Sequence, residues 1–233
     1  MRVTELWRYP VKSLQGERVE ATELTEQGVA GDRRWALFDL GSGLGLTARR
    51  APQLLHASAR LRHGEVEIAL PDGTVAQDDD ALSAWLGRPV ALCCTGEVRG
   101  RRYENTSDVV AEADGSWYSF EGSEQAFHDT YPVTLLSPAT TGDRPMRRFR
   151  PNLVVDGPED GLVGATVRIG GAVVDVAERV SRCVMVTRSQ PGGIEVDRDV
   201  LRWIHRERGG VLAVGGAVVR PGLVRLGDEV VPA

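Results

Sequence analysis

Four short segments hold the side chains best suited to chemistry. Tyr9-Pro10-Val11-Lys12-Ser13-Leu14 places an ammonium beside a hydroxyl, and Lys12 is the only lysine among 28 lysine and arginine residues. An ammonium is a compact point charge suited to a phosphate, whereas a guanidinium is a planar fork. Gly31-Asp32-Arg33-Arg34-Trp35, followed by Leu46-Thr47-Ala48-Arg49, adds Arg33. Arg148-Phe149-Arg150-Pro151-Asn152 adds Arg150 and an amide, and Ser181-Arg182-Cys183-Val184-Met185-Val186-Thr187 adds a thiol. Lys12, Arg33 and Arg150 beside Ser13, Trp35 and Asn152 suit recognition of phosphate and of polar heterocycles. Cys183 would add a soft ligand.

Each feature also has an ordinary reading. Most arginines are solvated surface groups, and Arg34 and Arg148 fit that description. Cys183 lies in an apolar stretch, where a thiol is often buried and inert. Arg182 adjoins it, but neighbours in a strand point to opposite faces, so Arg182 is not assigned to the thiol. Three cysteines without a C-x-x-C pair, and four histidines (His56, His63, His128, His205) without ligand spacing, predict neither a disulfide framework nor a protein-only zinc or iron–sulfur site.

These residues must be positioned by many short strands. Val3–Tyr9, Trp35–Leu40, Leu54–Leu61, Glu65–Leu70 and Val90–Cys94 read as strands, with Pro71-Asp72-Gly73 as a turn. Asp80–Leu86 reads as a short helix capped by the Asp78-Asp79-Asp80 run and ended by Gly87. Residues 95–127 are polar and irregular, with an acidic stretch, and mark the best domain boundary. Beyond it come Val133–Leu136, Asn152–Asp156, a hairpin through Gly170-Gly171, and a helix over Val196–Arg206 with Asp197 or Asp199 near its start. Strands at Val218-Val219 and Val224–Val231 close the chain. The expected fold is mainly β with a few short helices, in two barrel-like domains of residues 1–95 and 96–233.

The length, 233 residues, suffices for such a pair. A net charge of −5 argues against nucleic acid and anionic membrane as partners. No run of about 20 apolar residues predicts a membrane span, and the charged start Met1–Arg8 lacks a signal peptide's apolar centre. A cytoplasmic location is the expectation.

Together and in order, the four segments resemble the MOSC family, named after the molybdenum cofactor sulfurase C-terminal domain. Tyr-Pro-Val-Lys-Ser-Leu with Asp-Arg-Arg-Trp is similar to its N-terminal β-barrel domain. Phe-Arg-Pro-Asn, Ser-Arg-Cys with its hydrophobic pair and Thr, and the late Pro-Gly and Gly-Asp are similar to the MOSC domain itself. The resemblance covers nearly the whole chain and points toward the amidoxime-reducing branch.

It implies a molybdopterin-type molybdenum cofactor with the Cys183 thiolate on the metal. It further implies that Lys12, Ser13 and Arg33 hold the pterin phosphate and its surroundings, with Arg150 and Asn152 on a second binding segment. Asp129-Thr130-Tyr131-Pro132 is similar to the family's Asp-Thr-Ser-Pro segment beside the metal, which makes Thr130 a cofactor contact and Asp129 a candidate proton relay. Tyr131 replaces a small residue and is expected to narrow the pocket. Glu159-Asp160-Gly161-Leu162 without the usual Trp, a short Pro/Gly-rich segment over 137–147, and Ala213-Val214-Gly215-Gly216 in place of an aromatic are expected to thin its wall.

The function implied is an oxidoreductase that reduces N-hydroxylated or other N–O small molecules. No cysteine-rich domain follows Ala233, so electrons are expected from a separate donor protein. The alternatives are a sulfur-transfer protein carrying a persulfide on Cys183 and a non-catalytic carrier of the cofactor. Pyridoxal phosphate is not expected, because a Schiff base needs a lysine and only Lys12 exists.

Overall fold

A computed structural model of the chain describes residues 1–98, 100–106, 116–122 and 126–233. The acidic stretch expected between the halves falls on 107–115 and lies outside the described residues. The fold is mainly β, with α-helices at Asp79–Leu86, Pro138–Thr141 and Asp199–Arg208 among the described residues.

The largest sheet has eight strands and curls into a half-barrel. Its order is Val230–Pro232, Thr166–Ile169, Ala172–Ser181, Val211–Arg220, Val133–Leu136, Leu153–Val155, Val3–Arg8 and Glu17–Val19. Alternating apolar residues, among them Leu6, Leu135, Leu153, Val174, Val176 and Val214, fill its interior. Strand pairing crosses the boundary expected near residue 95. Val3–Arg8 pairs antiparallel with Leu153–Val155, and Ala21–Thr25 pairs with Gly222–Arg225. Strands Val3–Arg8, Glu17–Val19 and Ala21–Thr25 therefore join the sheets of the C-terminal half, whereas Val11 and Leu14 between them pack in the core of the N-terminal half.

The rest of the N-terminal half is built from small sheets, Trp35–Asp39 with Val90–Cys94 and Ser58–Arg62 with Glu65–Ala69 and Val75–Ala76. The helix Asp79–Leu86 packs on them. Asp78 caps it by accepting from the Ala81 N–H, and Gly87 ends it at φ 66°. The strand expected over Leu54–Leu61 is instead a 3₁₀ turn, Pro52–His56, followed by Ser58–Arg62. Pro52, which donates no backbone hydrogen bond, opens the turn, and Leu54 and Leu55 are both fully buried in the N-terminal core. The irregular region expected over 95–127 contains a hairpin, Arg102–Thr106 with Trp117–Glu121. Aromatic packing of Tyr103, Phe120, Phe38 and Phe127 anchors it, a tertiary cause invisible in local composition.

The third helix forms at Asp199–Arg208, later than Val196–Arg206, because Asp197 accepts from the Asp199 and Val200 N–H groups at 2.9 and 3.1 Å. Val200, Leu201 and Ile204 bury against Val184 and Val186 of a 3₁₀ turn, Val184–Thr187. That helix thus backs the turn directly after Cys183.

Candidate functional site

The candidate site begins with backbone. The segment after strand Val3–Arg8 is pinned beside Trp35, with Lys12 N donating to Trp35 O at 2.8 Å and Trp35 N to Pro10 O at 3.1 Å. Arg33 N donates to Tyr9 O at 2.7 Å, and Phe127 N to Arg33 O at 2.9 Å. These bonds lay residues 9–14, 33–35 and 127 side by side. Arg150 ends the 3₁₀ turn Met146–Phe149, and Cys183 starts the turn that follows strand Ala172–Ser181.

Three residues here, Ser13, Arg33 and Arg150, have φ of 69°, 47° and 55°. This left-handed region costs a non-glycine residue about 1–2 kcal/mol. Such strain persists only where the surroundings over-determine it, and it clusters at working sites.

A cavity of about 100 Å³ opens between the two halves. Its wall brings together Lys12, Ser13, Arg33, Asp129, Thr130, Arg150 and Cys183, with Arg182 and Tyr131 beside them. Asn152 is elsewhere. It is fully buried, its Oδ1 accepting from Thr134 N and Oγ1 at 3.3 and 3.1 Å and its Nδ2 donating to Trp7 O at 3.4 Å. Those bonds join strands and leave its amide no part in the cavity wall.

Four cations face one carboxylate in this wall among the described residues. Lys12 Nζ donates to Asp129 Oδ1 at 2.5 Å and to Phe127 O at 3.0 Å. Arg33 pairs with Asp32, which is 1% exposed and also accepts from Tyr9 N at 2.6 Å. Burial opposes the charged form of Arg33, but Asp32 outweighs it and raises its pKa. Arg33 and Arg150 lie over the Tyr9 ring, their guanidinium carbons 4.9 and 4.3 Å from its centroid. Burial pushes the Tyr9 phenol up to about 12 despite both arginines. Arg150 donates to Leu14 O at 2.5 Å, and burial with nearby Arg33 lowers it to about 10.

Arg182, which strand alternation would turn away from Cys183, stands in the same wall as the thiol. Strand geometry ends at Ser181, so the alternation that would turn Arg182 away from Cys183 does not apply. Its Nε donates to Leu212 O at 2.9 Å and its Nη1 to Phe149 O at 3.2 Å. Its Nη2 is buried with no hydrogen-bond partner, and burial lowers its pKa to about 10. A buried guanidinium with a spare donor costs free energy until an acceptor arrives.

Three further expectations change. Arg148 is not a solvated arginine. It is 4% exposed and donates to Val186 O and Glu195 O at 2.8 and 2.7 Å, which fixes the turn following Cys183. The wall near Gly215 is not thinned. A Cβ at Gly215 would come within 2.2 Å of the Tyr131 ring, so Tyr131 occupies the space an aromatic on the other strand would fill. Asp129 does not suit a general acid at neutral pH. Desolvation, limited because the side chain is 69% exposed, favours its neutral form, but Lys12, Arg49 and Arg33 together hold its carboxyl below the usual carboxylate range. Asp32, to which the sequence reading gave no role, anchors Arg33; its signal was the Gly-Asp-Arg-Arg-Trp segment itself.

The donor set fits an anionic, phosphate-bearing cofactor whose metal takes one protein thiolate. Cys183 is a free, partly accessible thiol in the same wall as the unpartnered Arg182 donor. Among the described residues no cluster of three or more His, Cys, Asp or Glu side chains could hold a metal ion by itself.

Residues 1–89 match the MOSC N-terminal beta barrel domain and residues 128–231 match the MOSC domain. This chain is a MOSC-domain protein. It is 26% identical to a molybdenum cofactor sulfurase of Oryza sativa subsp. japonica over 79% of this chain and 28% of that protein. A sulfurase of Drosophila grimshawi gives 26% over 92% and 31%. Mitochondrial amidoxime reducing component 2 of Bos taurus is 25% identical over 84% of this chain and 68% of its own length. The chain thus spans about three-tenths of the sulfurases it matches. The names tie the MOSC relatives to molybdenum-cofactor and amidoxime-reducing enzymes. Among the described residues of this MOSC protein, no helix is long and apolar enough to cross a membrane.

Proposed function

We propose that the cavity binds a molybdopterin-type molybdenum cofactor and that the protein reduces N-hydroxylated or other N–O small molecules, taking electrons from a separate donor protein. The observation that carries this reading is the convergence of Cys183, the spare Arg182 donor and three more cations on one wall. In this reading Cys183 supplies the metal thiolate, as its softness suits. Lys12, Ser13, Arg33, Thr130, Arg150 and Arg182 hold the anionic parts of the cofactor. Asp129 holds the Lys12 ammonium in place as an ionised acceptor, and the cluster of Asp32, Tyr9 and Arg33 keeps the cation wall rigid. When bound, the cofactor supplies the two-electron redox chemistry, while the chain supplies binding and orientation.

The test is reduction of benzamidoxime to benzamidine with a chemical electron donor, by protein whose molybdenum content has been measured. Turnover that scales with molybdenum supports the reading, and molybdenum-replete protein without turnover opposes it. The sulfurase similarity favours one second reading, a persulfide on Cys183 that delivers sulfur. Cyanide-labile sulfur in metal-free protein would support that alternative.

A further inference from the structure

Tyr131 stands in the wall of the Cys183 cavity together with Val180 and Ser181, yet it is only half-buried, which puts its ring at the rim. Sheet register explains where that ring lies. Thr134, Gly215 and Glu178 form one row across strands Val133–Leu136, Val211–Arg220 and Ala172–Ser181. The Tyr131 side chain lies along this row. A Cβ at Gly215 would come within 2.2 Å of the ring, and the nearest atoms it would meet all belong to Tyr131. A hydrogen bond from the Tyr131 hydroxyl to Glu178 raises the phenol's pKa, so the ring reaches the third strand of the row. That strand leads from Glu178 through Val180 and Ser181 toward Cys183.

The ring's seat is built from backbone. Gly215 has no positive φ, so glycine serves there to make room and not to bend the chain. The next residue is held in the same way. A Cβ at Gly28, which has φ 99°, would come within 2.2 Å of Pro132 O. Two glycines thus let neighbouring strands close on Tyr131 and Pro132. A tyrosine has only two side-chain torsions, so a ring seated on backbone and bonded at its hydroxyl gives way little.

Resting on the reading of this cavity as the cofactor site with Cys183 at the metal, we propose that the Tyr131 ring sets the size limit of the site, admitting slender N–O molecules to its reacting end and turning bulky ones away. The cavity measures about 100 Å³, so one aromatic side chain at its rim decides much of what fits beside Cys183. Forcing an oversized group past close-packed atoms costs what overpacking costs. Alanine at position 131 removes the ring and uncovers Gly215, which widens the opening and leaves every cation of the wall in place.

Alkylation of the Cys183 thiol tests the limit without turnover. The full chain is made in cells that cannot synthesise the cofactor. Labelling of Cys183 by iodoacetamide and by its bulky N-adamantyl derivative is followed by peptide mass spectrometry. Both reagents are neutral and share one reacting group, so thiol reactivity cancels in the ratio of their rates, and glutathione gives the unhindered ratio. The wild-type bulky-to-small ratio should lie about tenfold below that of glutathione, and Tyr131→Ala should raise it about tenfold. Tyr131→Phe keeps the ring and should stay within about twofold of wild type. Gly215→Ala checks the seat, and should lower Tm by about 2–4 °C with Tyr131 in place but have much less effect in the Tyr131→Ala background. Tyr131 is half-buried at the rim, so its removal leaves the fold standing, and circular dichroism verifies it. On molybdenum-loaded, active protein, Tyr131→Ala should speed reduction of adamantane-1-carboxamidoxime relative to benzamidoxime. A wild-type ratio equal to that of glutathione, a ratio unchanged in Tyr131→Ala, a Tyr131→Phe variant as open as Tyr131→Ala, an equal Gly215→Ala effect in both backgrounds, or no relative gain for the bulky amidoxime would overturn the inference. Absent molybdenum or absent turnover counts against the cofactor reading alone, because the labelling ratios need neither.

Discussion

Replacing Arg150 by glycine or alanine should produce an inverted stability order. At an ordinary position glycine is the less stable choice by about 0.4–1 kcal/mol, because its unfolded chain has more conformations to lose. Position 150 sits at φ 55°. An alanine held there pays the left-handed penalty of about 1–2 kcal/mol, and a glycine does not. The difference leaves glycine ahead by about 0.5–1 kcal/mol. For a chain of this length that corresponds to roughly 1–4 °C in Tm. Both variants lose the same guanidinium, its bond to Leu14 O and its contact with Tyr9, so those losses cancel in the comparison. Thermal and urea unfolding of the two cofactor-free variants side by side gives the answer. An alanine variant more stable than the glycine variant would refute the claim that this turn imposes a strained conformation on a binding residue. Cofactor retention should fall alike in both, which separates the strain effect from the charge effect.

Lys12→Ala should lower cofactor retention by roughly ten- to a hundredfold, since a hydrogen bond to a charged group is worth about 1.5–3 kcal/mol. Lys12→Arg should recover only part of this, as read by pterin content after dialysis. Asp32→Asn should destabilise the fold by about 3 kcal/mol in urea unfolding, because the amide keeps an acceptor for Tyr9 N but removes the charge and the second oxygen that pair with the Arg33 guanidinium; a change within error would make Asp32 dispensable. Asp129 has its carboxyl pKa lowered in the fold, so its contribution to stability is present above its ordinary value near 3.9 and is lost as pH falls below it. The stability gap between wild type and Asp129→Asn should therefore be open at about pH 6 and close on acidification; a gap independent of pH would contradict the Lys12 pairing.

Much of the fold was legible because its signals are local. Asp78 and Gly87 bracket their helix as cap residues should, and Gly170-Gly171 turns the hairpin of Thr166–Ile169 with Ala172–Ser181. The candidate site was legible as residue types, a lone ammonium, arginines and a thiol in four segments. Its geometry was not, because it depends on contacts far apart in the chain. Strand Val3–Arg8 meets Leu153–Val155, and Arg148 reaches across to Val186 O. Arg182 is illegible because the strand ends at Ser181, one residue before strand alternation would turn it away from Cys183. Arg148 and Asp32 were passed over because a charged side chain spent on buried backbone looks, in sequence, like any solvated one. The hairpin that supplies Tyr103 and Phe120 was hidden by its polar composition.

The most direct test is molybdenum and pterin content, with benzamidoxime turnover, for purified wild type, Cys183→Ala and Cys93→Ala. The account predicts molybdenum and pterin together in wild type and in Cys93→Ala, with matching activity. It predicts a folded Cys183→Ala protein whose activity is lost and whose metal is depleted. Full molybdenum and activity in Cys183→Ala, or a wild-type protein that never acquires pterin when the cofactor is supplied, would contradict it.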